Sequence, residues 1–158
     1  MRHAKSDWQS GADSDFDRPL NKRGRRAAVD MGIVLKKRPF PPDRVISSPA
    51  LRARQTVERV FLQTGWRLDR LRFDESLYLA SLERLLEICR QERECKSLML
   101  VGHNPGLEDL LIHLCGPDIA RTRKGKVRTT ANVAVIEPDE RAMDAEGSGR
   151  LIELVRPR

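Results

Sequence analysis

The sequence predicts an α/β fold in which helices cover both faces of a mostly parallel sheet, giving three α/β/α layers. Three features carry that expectation. Short apolar runs alternate with segments of helical period. One run, Ser97 to Gly102, is continuously apolar, as in a strand buried on both faces. Two helical segments open with Ser48-Pro49 and Asn104-Pro105, each directly after an apolar run, with Ser48 and Asn104 as N-caps and the prolines as first helical residues.

Along the chain, Ala27, Ala28, Met31, Val34 and Leu35 recur at helical spacing between Asn21 and Lys37. Asn21 serves as N-cap, and Gly24 and Gly32 interrupt the pattern only mildly. Three prolines make Lys37 to Asp43 a connector. Arg44 to Ser47 reads as a short strand. Pro49 to Gln63 reads as a helix carrying Leu51, Val57, Val60 and Phe61, closed by Gly65. Ser81 caps a third helix reaching to about Glu94, with Leu82, Leu85, Leu86 and Cys89 on one face. The Ser97–Gly102 strand follows, and then a helix from Pro105 to Cys115, in which His113 is a packed or half-exposed side chain. Ala131–Glu137 and Arg150–Arg156 read as strands joined by a polar, glycine-containing segment, a hairpin at the sheet edge. No repeat or linker divides the 158 residues, so a single domain spanning 1–158 is expected.

Composition excludes several classes. Hydrophobic residues make up 39% and charged residues 34% of the chain, which fits a protein with a core rather than a disordered tail. No apolar run approaches the ~20 residues of a membrane span, and no signal peptide is visible, so a cytoplasmic location is expected, with no membrane partner. The net charge of +7 is spread along the chain and is mostly arginine, which argues against a nucleic-acid partner. Cys89, Cys95 and Cys115 match no zinc spacing and read as idle thiols.

Both Pro-opened helices begin at the carboxyl edge of the expected sheet, where helix N-termini favour anions. Arg52 lies at the start of one, His103 at the start of the other, and Arg2-His3 opens the chain. Singly, each has a plain reading: a terminal dipeptide, a solvated arginine, a capped turn. Together they supply what phosphoryl transfer requires, a nucleophile and positive charge around three oxygens. His3 is the candidate nucleophile, since an unperturbed imidazole titrates near ~6.5 and is mostly neutral at cytoplasmic pH. Arg2 and Arg52 offer guanidinium forks matched to phosphate oxygens. His103 offers a further hydrogen bond to the same oxygens.

Arg2-His3-Ala4-Lys5-Ser6, Asp17-Arg18-Pro19-Leu20-Asn21-Lys22-Arg23-Gly24, Ser47-Ser48-Pro49-Ala50-Leu51-Arg52-Ala53-Arg54-Gln55-Thr56 and Val101-Gly102-His103-Asn104-Pro105-Gly106 occur in that order. In these motifs the chain resembles the histidine phosphatase superfamily, and within it the small phosphohistidine phosphatases of the SixA type. The resemblance implies a phosphoglycerate mutase-like fold, a transient phosphohistidine on His3, and phosphate held by Arg2, Arg52 and His103. It implies no metal and no cofactor. The implied substrate is a phosphorylated protein bearing phosphohistidine, or a small phosphorylated metabolite. In the Asp-x-x-Arg-Pro-Leu-like segment Arg18 either lines the pocket or anchors the loop before the first helix. Glu75 stands where larger relatives carry the acid that protonates the leaving group, or is a solvated loop charge. Imidazole is a better leaving group than an alkoxide, which favours phosphohistidine over a sugar phosphate. Asp7, Trp8 and the stretch Asp13 to Asp17 either border the substrate entrance or form a plain connector.

One departure stands out. Members of the resembled family begin with an apolar strand of about six residues ending at the Arg-His pair, and here Met1 stands at that strand's last position. The usual first central strand is therefore expected to be missing from this sequence. An in-frame start a little upstream would supply it; a truncated copy that binds phosphate without turnover is the alternative.

Overall fold

The computed structural model describes residues 1–39, 41–117, 119, 130–139, 142 and 144–157. The elements run α1 (Lys22–Lys36), β1 (Arg44–Ser47), α2 (Leu51–Thr64), β2 (Leu71–Phe73), α3 (Leu82–Gln91), β3 (Leu98–Val101), α4 (Gly106–Cys115), β4 (Val133–Pro138) and β5 (Gly149–Val155). Strands β2, β1 and β3 pair in parallel in that order, while β4 and β5 form an antiparallel pair.

Strand alternation explains the layering. Val45 and Val101 enter one apolar cluster with Met31 and Leu35 of α1 and Val57 and Val60 of α2. Their neighbours Ile46 and Leu100 enter a second cluster with Leu85 and Ile88 of α3 and Leu107 and Leu110 of α4. Successive residues of β1 and β3 thus face opposite helical layers, as period-two side chains must. The three-layer α/β/α expectation holds.

Asn21 caps α1 as expected, its side chain accepting from the Gly24 N–H at 2.8 Å. Ser81 caps α3 in the same way, and Gly65 ends α2 at a φ of 72°. Two expected caps need correcting. Helix α2 begins at Leu51 with no side-chain cap, and the Ser48 hydroxyl is used elsewhere. Helix α4 begins at Gly106, and the Asn104 amide donates to the Glu108 carboxylate at 2.9 Å instead of capping. The Asn104–Pro105 peptide is cis. The short strand β2 was not anticipated.

Among the described residues no regular strand precedes α1, in keeping with the expected departure. Residues 1–4 nevertheless lie in the gap between β3 and the segment entering β4. Arg2 bridges Gly102 in parallel. The Gly102 N–H donates to the Met1 carbonyl, the His3 N–H to the Gly102 carbonyl, and the Met1 amino group to the Leu100 carbonyl. On the other side, the Arg2 N–H donates to the Asn132 carbonyl and the Ala131 N–H to the His3 carbonyl. Met1 and Ala4 are buried, and His3 is 8% exposed. The backbone pairing that a central position demands is therefore met by a few residues, and the candidate nucleophile is held from both sides.

Candidate functional site

His3, Arg52 and His103 come together beyond the carboxyl ends of β1 and β3. His3 follows the bridge at Arg2. Arg52 is the second residue of α2, and His103 lies between β3 and α4. The His3 and His103 rings are 5.1 Å apart. Arg52, 2% exposed, directs its Nε–H at His3 Nε2 across 3.3 Å.

The tautomer of His3 follows from its partners. Nδ1 lies 2.6 Å from the Ala4 carbonyl oxygen, which can only accept, so Nδ1 carries the proton. Nε2 is then a lone-pair nitrogen, and it accepts from Arg52. The Ala4 N–H in turn donates to the Thr56 hydroxyl at 3.0 Å, tying this turn to α2. Burial, followed by the nearby His103, Arg52 and Arg2, lowers the His3 pKa to about 3 against the pull of the Ala4 carbonyl. The imidazole is neutral at physiological pH, the form a nucleophile needs.

His103 is set by Ser48. Its Nε2 lies 2.8 Å from the Ser48 hydroxyl, which also accepts from the Ala50 N–H. Its Nδ1 is buried with no hydrogen-bond partner among the described residues. Burial and then Arg52 hold the His103 pKa at about 4. Tyr78 packs edge-on against the His103 ring at 5.5 Å.

Arg2 contributes charge to the same site, depressing both histidines. Burial lowers its own pKa, and the Glu108 carboxylate opposes that shift. Arg18 is buried; its guanidinium donates to the Ser6 hydroxyl and to Asp15 Oδ1 (2.5 Å) and lies 3.6 Å from the Trp8 ring centroid. It thus anchors the loop and also joins the charged cluster. Glu75 opens a short 3-10 turn, Glu75–Leu77, with its side chain exposed, and only its carbonyl appears in the hydrogen bonding of this turn, accepting from the Tyr78 N–H. Among the described residues no hydrogen bond or ion pair joins its side chain to His3, Arg52 or His103. His113 bonds the Asp144 carbonyl, away from these residues.

The sequence places Asp15 only within a stretch that borders the substrate entrance or connects, and gives Tyr78 no role. Asp15 accepts from Arg52 Nη2 at 2.8 Å and from the Tyr78 hydroxyl at 2.8 Å, besides Arg18. Its carbonyl also accepts from Arg52 Nη1. Arg18 first, with Tyr78 and Arg52, holds its carboxyl well below the usual range. Tyr78 is the only tyrosine of the chain, a signal that was available. Among the described residues no group of His, Cys, Asp and Glu side chains has metal-binding geometry.

A neutral imidazole whose lone pair faces a guanidinium, with further arginines beside it at the carboxyl edge of a parallel sheet, is an arrangement suited to phosphoryl chemistry. Comparison with known proteins agrees. Residues 1–78 match the sequence profile of the histidine phosphatase superfamily (branch 1). An uncharacterized protein of Mycobacterium tuberculosis is 34% identical over 164 residues covering 100% of both chains. The crystal structure of the "putative phosphohistidine phosphatase SixA" from Agrobacterium tumefaciens is 30% identical, with a TM-score of 0.83 over 99% of this chain and 95% of that one. The protein histidine phosphatase SixA complexed with tungstate is 25% identical, with a TM-score of 0.80 over 99% and 94%. The chain belongs to the histidine phosphatase superfamily, in its SixA-type group. Phosphoryl-group hydrolysis is the class of reaction that membership assigns.

Proposed function

We propose that this protein hydrolyses phosphohistidine, on a phosphorylated protein, through a covalent phosphohistidine on His3. A small phosphorylated metabolite is the other substrate that fits the site. The observation that carries the reading is the pair of contacts at His3: Nδ1–H to the Ala4 carbonyl and Arg52 Nε–H to Nε2. They leave the lone pair of Nε2 beside a guanidinium that would meet the phosphoryl oxygens.

In the first step the Nε2 lone pair forms a bond to phosphorus while the bond to the leaving group breaks with its electron pair. Arg52 and Arg2 balance the charge on the equatorial oxygens, and Arg18 adds to it from the loop side. His103, hydrogen-bonded to the Ser48 hydroxyl through Nε2, stands beside the same oxygens. In the second step water attacks phosphorus, the P–N bond breaks with its pair returning to His3 Nε2, and phosphate carries away the protons of the water.

Glu75 is exposed and is given no step in this mechanism. A nitrogen leaving group does not require a general acid, and this is what favours phosphohistidine over an alkyl ester. The alternative of a phosphate-binding domain without turnover assumed a loosely tied nucleophile. Burial and two-sided pairing of residues 1–4 weigh against it. The membrane is no part of this reading: no helix among the described residues is long and apolar enough to cross one. A cytoplasmic setting is in keeping with it.

The test is turnover of a phosphohistidine peptide by the full chain and by His3→Gln. Loss of turnover in a variant that still folds and binds tungstate is expected. Undiminished turnover by His3→Gln would refute the reading.

A further inference from the structure

We propose that Asp15 is a specificity-determining residue, whose carboxylate accepts the far N–H of an imidazolium leaving group and so selects phosphoramidates over phosphomonoesters. This rests on the reading of His3 as nucleophile.

The geometry runs outward from the nucleophile. His3 is 8% exposed and the Arg52 side chain 3%, whereas the Asp15 side chain is 43% exposed. Arg52 offers its Nε–H to His3 and its two Nη groups to Asp15, so its guanidinium lies between them. In-line attack puts the leaving group opposite His3, toward the open side where Asp15 stands. Oδ2 of Asp15 accepts from Arg52 and Tyr78, and Oδ1 from Arg18. A carboxylate has about four acceptor positions, which leaves one on Oδ1 for a substrate donor.

The carboxylate is held ionised by Arg18, Tyr78 and Arg52, so it accepts protons poorly and donates none. An alkoxide leaving group would develop negative charge beside it, with no proton to take. An imidazolium leaving group behaves oppositely. The bond from phosphorus to the attached nitrogen breaks with its pair moving onto that nitrogen. The proton already on the far nitrogen stays there, facing Asp15, and neutral imidazole departs. His3 meanwhile becomes a phosphorylated imidazolium, its Nδ1–H still on the Ala4 carbonyl, so charge and protons balance without an acid.

The experiment compares kcat/KM for phosphoimidazole and for p-nitrophenyl phosphate in the full chain, in Asp15→Asn and in Asp15→Ala. The ratio of the two constants is expected to fall at least tenfold in both variants. A merely structural role would lower both constants together, so an unchanged ratio with wild-type turnover intact overturns the role of Asp15 alone. Absence of wild-type turnover on both compounds overturns this inference and the phosphatase reading beneath it, and turnover of p-nitrophenyl phosphate alone overturns this inference.

Discussion

The Nε–H of Arg52 points at Nε2 of His3 across 3.3 Å, and the other edge of the same guanidinium grips Asp15. One buried side chain thus meets the lone pair of His3 and joins it to the loop that carries Asp15. Both ends of that relationship depend on a planar fork of N–H donors, which an ammonium group does not provide.

Arg52→Lys is therefore expected to lower kcat/KM about 10³-fold, the lower range for arginines that stabilise phosphoryl transfer. Steady-state kinetics on the phosphohistidine peptide checks it. A loss below tenfold would mean that the guanidinium fork is dispensable.

Stability should depend on pH between about 4 and 6.5. His3 and His103 have folded pKa values of about 3 and about 4, below the ordinary 6.5, because burial and neighbouring cations disfavour their charged forms. In that window the unfolded chain binds protons that the folded chain does not, so stability rises with pH and is lost as pH falls. Each histidine adds a slope of about 1.4 kcal/mol per pH unit. The depressed carboxyl of Asp15 has the same sign but acts only below its ordinary 3.8. Urea unfolding at pH 7 and 5 measures the slope, and His3→Gln should flatten it by about half.

Gly24→Ala should destabilise the fold by about 1 to 3 kcal/mol or more, because a Cβ there would lie 2.0 Å from the Lys5 carbonyl oxygen. Relief of that clash must move α1 or the segment carrying His3. The urea midpoint is expected to fall together with kcat. Wild-type values of both would show that the close approach of α1 to Lys5 is not needed.

Much of the fold was legible because its strands are apolar and its helices periodic. Arg44–Ser47 was bounded correctly, and the Asn21 and Ser81 caps were found from residue type alone. Strand β2 was not, since Leu71-Arg72-Phe73 is three residues long with a central arginine and sits at the sheet edge. The pairing of residues 1–4 was equally hidden, because its partners lie near 102 and 132. Ser48 and Asn104 look like caps by type, yet the side chains they meet, His103 and Glu108, take their polar groups instead. At the site, His3 and His103 stood out as two of only three histidines, and Arg52 through its place at the start of a helix that follows an apolar run. Asp15 did not: it is one of several acids in a polar loop, and its place is set by Arg52 and Tyr78, 37 and 63 residues further on.

The most direct measurement is acid-labile label mapping after rapid quench. The full chain is mixed with a peptide carrying 32P-phosphohistidine, quenched in base within one turnover, and digested. Label is expected on the N-terminal peptide containing His3, stable to base and lost in acid. Turnover with the label on any other residue, or with none on the protein at any time, would contradict the account.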